Sequence, residues 1–304
     1  MPLISPTLSV AGRVLEWGSR TFIMGILNIT PDSFSGDGLL AVPQANASPQ
    51  ILLAAAMQQA REFVADGADI LDIGGESTRP GAAPVSADEE AERLLPVIRA
   101  VAAELDVLIS VDTYKASVAN VAIQAGAHIL NDVWGLRADP ELAQVAARAR
   151  VPLILMHNRS SWASAEIKER LGGRYIGMAY GNLLEDIRHE LLESVSIAHA
   201  AGVSDDKIML DPGLGFGKTV EQNLELLNRL DEVHRLGYPL LLGPSRKSFI
   251  GYTLNLAPDE RLEGTAAAVA VGIVRGADII RVHDVKFMRR VARMTDAIVR
   301  GVHE

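Results

Sequence analysis

Polar and charged residues stand at eight points of the chain, each at the end of a short apolar run or just after it. They are Asn28, Glu76-Ser77-Thr78-Arg79-Pro80-Gly81, Asp112, Asn131-Asp132, His157, Asp211, Ser245-Arg246-Lys247 and Arg281-Val282-His283-Asp284. Carboxylates and amides follow the third, fourth and sixth runs, whereas cations follow the second, seventh and eighth. Brought to one face, the first group would accept hydrogen bonds from a donor-rich head. The second would hold an anionic tail through charge-assisted bonds.

The elements that must position them can be read from a recurring phrase. It appears as Gly67-Ala68-Asp69-Ile70-Leu71, Gly126-Ala127-His128-Ile129-Leu130 and Gly276-Ala277-Asp278-Ile279-Ile280. Amphipathic spacing precedes it, as in Leu53, Met57, Ala60 and Val64. A glycine that ends a helix, then a short buried strand, is the α-to-β turn of a βαβ series. Gly202 and Gly237 play the same part. The strands predicted are 21–27, 69–73, 107–111, 128–131, 152–156, 207–211, 239–243 and 277–282. Strand–helix alternation with no Gly-x-Gly-x-x-Gly after the first strand favours a (β/α)8 TIM barrel over a doubly wound sheet. In such a barrel the strand ends share one face, where the active site lies. Residues 1–20 read as an N-terminal extension, a hairpin cap turning at Ala11-Gly12, and 21–304 as the barrel. Segments 30–50 and 158–177 read as long mobile βα loops.

Composition narrows the function. The 304 residues suit one barrel of about 250 residues plus extensions. A net charge of −9 without a Lys/Arg run argues against nucleic acid or an anionic membrane, so an anionic substrate needs a local basic cluster. The chain has no cysteine, which removes thiolate chemistry and disulfides and is compatible with a reducing cytoplasm. Residues 1–20 lack the apolar core of a signal peptide. The apolar stretch Ala266–Val274 ends at Arg275, short of the roughly 20 residues a bilayer requires.

Plainer readings stand beside several of these residues. Asp112 could cap a helix starting near Tyr114, and Asn131 could satisfy a local backbone group. Asp211-Pro212-Gly213 is also an ordinary turn signal. Lys247 could be solvated at the surface. His283 could be a core histidine or a cap, and His157 could make a structural hydrogen bond or contact a ligand. Gly213 to Thr219 resembles a phosphate-binding P-loop, but its glycine spacing is one residue short.

Six motifs, in order, resemble those of the dihydropteroate synthases. They are Met24-Gly25-Ile26-Leu27-Asn28-Ile29-Thr30-Pro31-Asp32-Ser33-Phe34, Asp72-Ile73-Gly74-Gly75-Glu76-Ser77-Thr78-Arg79-Pro80-Gly81, Ser110-Val111-Asp112-Thr113, Leu210-Asp211-Pro212-Gly213-Leu214-Gly215-Phe216-Gly217-Lys218, Ser245-Arg246-Lys247 and Arg281-Val282-His283-Asp284-Val285. The resemblance runs from about residue 10 to the C-terminus. It departs at Gly36-Asp37-Gly38, where Asp-Gly-Gly is expected, and at Asn158-Arg159, where Met-Gln-Gly or similar is expected.

The resemblance implies a pterin-binding TIM barrel that condenses a dihydropterin diphosphate with 4-aminobenzoate, with Mg²⁺ as cofactor and a homodimer as the assembly. By it, Asp112, Asn131, Met156, Asp211 and Lys247 would hold the pterin. Asn28, Thr78, Arg79, Arg281 and His283 would hold the diphosphate, with Asn28 also reaching the metal. Phe34, Pro80, Phe216, Ser245 and Lys247 would form the aminobenzoate pocket, and Lys247, Arg281, His283 and Asp112 would be catalytic. Two rivals remain open at this point. A methyltetrahydrofolate methyltransferase would need the carboxylates but no diphosphate site, and a silent pterin-binding paralogue would keep the site without turnover.

Overall fold

The computed structural model describes residues 3–30, 48–77, 82–161, 165–168, 170–175 and 177–301. A hairpin comes first, with β1 (Thr7–Val10) antiparallel to β2 (Arg13–Glu16). Its turn residues Ala11 and Gly12 both have positive φ, 49° and 74°, the backbone twist that two-residue hairpin loops favour. Strand and helix then alternate as β3 (Phe22–Asn28), α1 (Pro49–Ala65), β4 (Ile70–Gly74), α2 (Ala87–Glu104), β5 (Leu108–Asp112) and α3 (Ala116–Ala125). Next come β6 (Ile129–Asp132), α4 (Glu141–Ala149), β7 (Leu153–Met156), the strands β8 (Ala165–Lys168) and β9 (Gly172–Tyr175), and α5 (Leu183–Ala200). The chain continues through β10 (Ile208–Asp211), α6 (Val220–Asn228), α7 (Leu230–His234), β11 (Leu241–Leu242), α8 (Ser248–Leu254), α9 (Leu262–Val274), β12 (Ile279–Val282) and α10 (Val285–Val299).

Eight parallel strands pair in the order β10-β7-β6-β5-β4-β3-β12-β11. A parallel bridge between Leu210 and Leu240 joins the two ends. The fold is a TIM barrel, and each predicted strand is present. The seventh is shortened to two residues; Pro239 and Pro244 flank it and offer no N–H to a ladder. The repeated glycine phrase ends helices as expected. Gly126 caps α3 at φ 119°, and a Cβ there would also come within 2.7 Å of Ala102 Cβ.

Side-chain alternation divides the apolar core in two. Outward residues of the strands pack against the helices. Inward Phe22, Met24, Ile70, Leu108, Ile129, Ile154, Met209, Leu241 and Ile279 form a second cluster with Leu8, Val10, Leu15 and Trp17 of the hairpin. The hairpin therefore plugs the N-terminal end of the barrel with hydrocarbon. One layer further along, the inward residues become Asp72, Ser110, Asn131 and Arg281, so the polar mouth is the C-terminal end. Among the described residues, no helix is long and apolar enough to cross a membrane.

In the 158–177 segment, the described residues form a hairpin where an open loop was expected. β8 and β9 pair antiparallel, and Arg174 joins Glu166 by an ion pair at 2.7 Å. Arg174 also lies 4.1 Å from the centroid of the Tyr252 ring. Tyr175 stacks on Phe216 at 6.2 Å, which seats the hairpin over the barrel mouth. The polar composition that reads as a loop is a set of paired charges. The segment 31–47, most of the other predicted loop, lies outside the described residues.

Candidate active site

The strand ends surround a cleft of about 300 Å³. Asn28, Asp112, Phe216, Ser245, Lys247, Arg281 and His283 line it. Asn131, Met156 and Asp211 lie buried in the strand ends at the barrel mouth, at 3%, 4% and 6% exposure. Phe34, Thr78, Arg79 and Pro80 fall outside the described residues.

Strand register explains the grouping. Asn28, Gly74 and Asp112 are aligned across β3, β4 and β5, Asp112 is aligned with Asn131, and Asp211 with Met156. Arg281 crosses the mouth from β12. Its Nε donates to Asp72 Oδ2 at 2.6 Å and its Nη2 to Asp112 Oδ2 at 2.7 Å. Asn131 Nδ2 donates to the same Asp72 oxygen at 3.0 Å. Burial works against the charge on Arg281, but Asp72 and Asp112 outweigh it and hold the guanidinium firmly ionised. Burial likewise pushes Asp112 above the usual carboxylate range, with Asp72 adding to the rise and Arg281 opposing it. Asp211 is raised chiefly by burial, against a hydrogen bond from the Gly213 N–H and the attraction of Lys247.

The plainer readings can now be weighed. Asp112 is no helix cap, since α3 begins after Lys115 without a side-chain cap, and the Ala116 N–H goes to Asp139 at 2.8 Å. Asn131 serves Asp72 rather than nearby backbone. Asp211 does make its turn, accepting from Gly213 N at 2.7 Å. Lys247 Nζ sits 4.2 Å over the Phe216 ring. His283 Nδ1 lies 3.0 Å from Ser245 Oγ, coupling strand eight to the loop after strand seven. His157 is 1% exposed and lies within hydrogen-bond distance of Lys218 Nζ, 3.0 Å at Nδ1. Its ring meets the loop after β10.

Sequence reasoning missed three residues. Asp72 stands inside β4 rather than at its end, and a lone charge within Ile70–Gly74 was the available signal. Lys218, 2% exposed, closes the glycine loop from within. Arg261 sends its guanidinium to the carbonyls of Arg246, Leu171 and Leu256, tying the loop after β11 to the turn of the β8–β9 hairpin. The local basic cluster that an acidic chain requires is present as Arg174, Arg246, Lys247, Arg261 and Arg281 around the cleft.

Residues 24–283 match the model of the pterin binding enzymes. The chain is 50% identical over 291 residues to the dihydropteroate synthase of Bacillus subtilis, spanning 95% of this chain and 93% of that one. It belongs to the dihydropteroate synthase family. Its fold superposes on a Clostridium difficile dihydropteroate synthase crystallised in the presence of pteroic acid, with TM-score 0.82, 47% identity, and coverage of 94% and 99% of the two chains. A Xanthomonas albilineans dihydropteroate synthase with 4-aminobenzoic acid gives TM-score 0.84 at 37% identity, covering 97% and 98%.

Proposed function

We propose that this cleft joins a dihydropterin methyl diphosphate to 4-aminobenzoate, giving 7,8-dihydropteroate and diphosphate. The observation that carries the reading is one barrel mouth that sets half-buried Asp112 and buried Asn131 and Asp211 beside Arg281, with Lys247, Phe216 and Ser245 on the rim. Asp112, Asn131 and Asp211 would accept and order the N–H donors of the amino-pyrimidinone edge, against Met156. Lys247 would reach the pterin from above while its stem and the Phe216 ring face the arylamine. The amine nitrogen attacks the methylene carbon, the C–O bond to diphosphate breaks with its electron pair on oxygen, and the amine sheds a proton. Arg281 and His283, preorganised by Asp72 and Ser245, would stabilise the charge that develops on the leaving oxygens. Asn28 would hold the same anion from β3, and Thr78 and Arg79 would complete its site. Ser245 offers a hydroxyl to the aminobenzoate carboxylate, with Phe34 and Pro80 as further walls.

Mg²⁺ belongs to the proposal. A Cβ on Gly74 would stand 3.7 Å from Asn28 Oδ1, the oxygen that would reach the metal, while Asp112 Oδ2 at the same distance already accepts from Arg281. Among the described residues, no three His, Asp or Glu side chains converge as a metal cage. A single amide oxygen, that of Asn28, would suit a hard cation that takes its other ligands from water and phosphate. Bound there, Mg²⁺ would neutralise charge on the departing diphosphate.

The proposal extends to a cytoplasmic homodimer. Val271 and Val274 of α9 and Met294 and Ile298 of α10 are exposed at 41%, 57%, 63% and 70%, an apolar surface on the late helices that a second copy would cover. The test of function is turnover with both substrates and Mg²⁺, following dihydropteroate and diphosphate in equal amounts. No product from folded protein overturns the reading.

A further inference from the structure

The loop after β10 contains a buried cation that none of the reaction steps uses. Gly213, Gly215 and Gly217 take φ of 72°, 84° and 68°. The tightest is Gly213, where a Cβ would stand 1.8 Å from the His157 carbonyl oxygen. This backbone path turns carbonyls inward, and Lys218 Nζ donates to Gly213 O at 2.8 Å and Phe216 O at 3.2 Å. The third contact of the ammonium is His157 Nδ1 at 3.0 Å. A phosphate-binding loop would present N–H groups to an anion. Here the loop folds its oxygens around an internal cation instead.

The surroundings suit that arrangement. Burial, with Lys218 adding to it, pushes His157 down to about 4, so the ring is neutral and Nδ1 can accept. His157 Nε2 lies 3.2 Å from Glu190 Oε2, near enough for electrostatic attraction though not aligned as a hydrogen bond. Glu190 is itself held by Arg159 and by Arg137 at 3.2 Å. Burial also pushes Lys218 down to about 7, against the attraction of Asp211 and Glu190, so the side chain is the ammonium below that pH. A second buried clamp, Asn223 Oδ1, accepts from Gly215 N at 2.6 Å. The loop so fixed begins at Asp211 and carries Phe216, the ring beneath Lys247.

We propose that Lys218 is a positioning residue: its buried ammonium, accepted by two loop carbonyls and His157, sets where Asp211 and Phe216 stand in the cleft. The inference rests on the proposed reaction, because it assigns Asp211 to the pterin and Phe216 to the arylamine. Displacement of reacting groups by about 1 Å can cost on the order of 100-fold in rate. Removing the ammonium takes the Lys218 donor from Phe216 O and leaves Gly213 O with only the Phe216 N–H at 3.2 Å, which lets the loop relax by such amounts.

The experiment compares Lys218→Met with the wild-type chain in steady-state turnover, with pteroic acid affinity by calorimetry and a thermal melt alongside. The expected result is a KM for both substrates raised about 10- to 100-fold, and weaker pteroic acid binding, in protein that still melts cooperatively. A purely structural role would lower the melting temperature and the active fraction while leaving KM and affinity unchanged, and that result overturns the proposal. Should Lys218→Met not fold, His157→Leu and His157→Asn decide. Leu removes the acceptor and is expected to raise both KM values, whereas Asn offers an oxygen near the Nδ1 position and is expected to restore them. Equal KM values for the two overturn the proposal. A wild-type chain that binds pteroic acid without turnover would defeat the proposed reaction, and the affinity comparison would still test Lys218.

Discussion

Replacing Asp72 by Asn probes the framework beneath the site. Asp72 is 0% exposed, and its Oδ2 accepts from Arg281 at 2.6 Å and Asn131 at 3.0 Å. Its Oδ1 is buried with no partner among the described residues. An Asn carbonyl can take the Oδ2 place and accept both bonds, with its NH₂ at the partnerless position, so shape is kept and charge is lost. Hydrogen bonds to charged groups contribute roughly 1.5–3 kcal/mol against about 1 for neutral ones, and breaking a buried ion pair costs roughly 3–5 kcal/mol. Arg281 retains Asp112 at 2.7 Å, which places the cost near the lower end of that range, about 3 kcal/mol. The melting temperature should fall by roughly 5–10 °C. Arg281 would then bind Asp112 more tightly and compete with the pterin there, raising the KM for the pterin diphosphate about 10-fold. Differential scanning calorimetry and steady-state kinetics at saturating aminobenzoate measure both. A melting temperature within about 1 °C of wild type together with an unchanged KM would refute the reasoning.

Asp211→Ala should weaken pterin binding about 10- to 200-fold, the loss of one charge-assisted hydrogen bond of roughly 1.5–3 kcal/mol, with the fold intact; unchanged affinity by calorimetry removes Asp211 from the site. Burial raises Asp112 to about 7 and Asp211 to about 6. Both bind protons more tightly folded than unfolded, so the stability they contribute is full at low pH and is lost as pH rises from the ordinary value of 3.8 through those values. Pterin N–H donors favour the ionised carboxylates, so binding at pH about 6 should release protons; equal heats in two buffers of different ionisation enthalpy would exclude this. Mg²⁺ should bind weakly to the empty cleft and more tightly once the pterin diphosphate is present, and full turnover after exhaustive chelation would remove the metal from the proposal.

How much of this was legible in the sequence depends on where a residue stands. The eight strand ends could be placed because parallel βα repeats put every strand's C-terminus on one face. Linear order alone therefore gathered Asn28, Asp112, Asn131, Asp211, Lys247, Arg281 and His283. Asp72 escaped because it lies mid-strand, where only burial and register assign it a partner. The hairpin of β8 and β9 escaped because its charges are satisfied by one another and by Tyr252, and paired charges read like solvated ones in a linear pattern.

The sequence by itself determined the barrel, its polar face and the family, since hydrophobic periodicity and the glycines that end helices are local properties. Which side chains meet was decided only by the tertiary structure. Arg281 finds Asp72 and Asp112 across separations of 209 and 169 residues, and Lys218 finds His157 across 61. Barrel closure sets those distances, and burial sets the charge states. Both arise from the assembled strands and helices together and from no single segment.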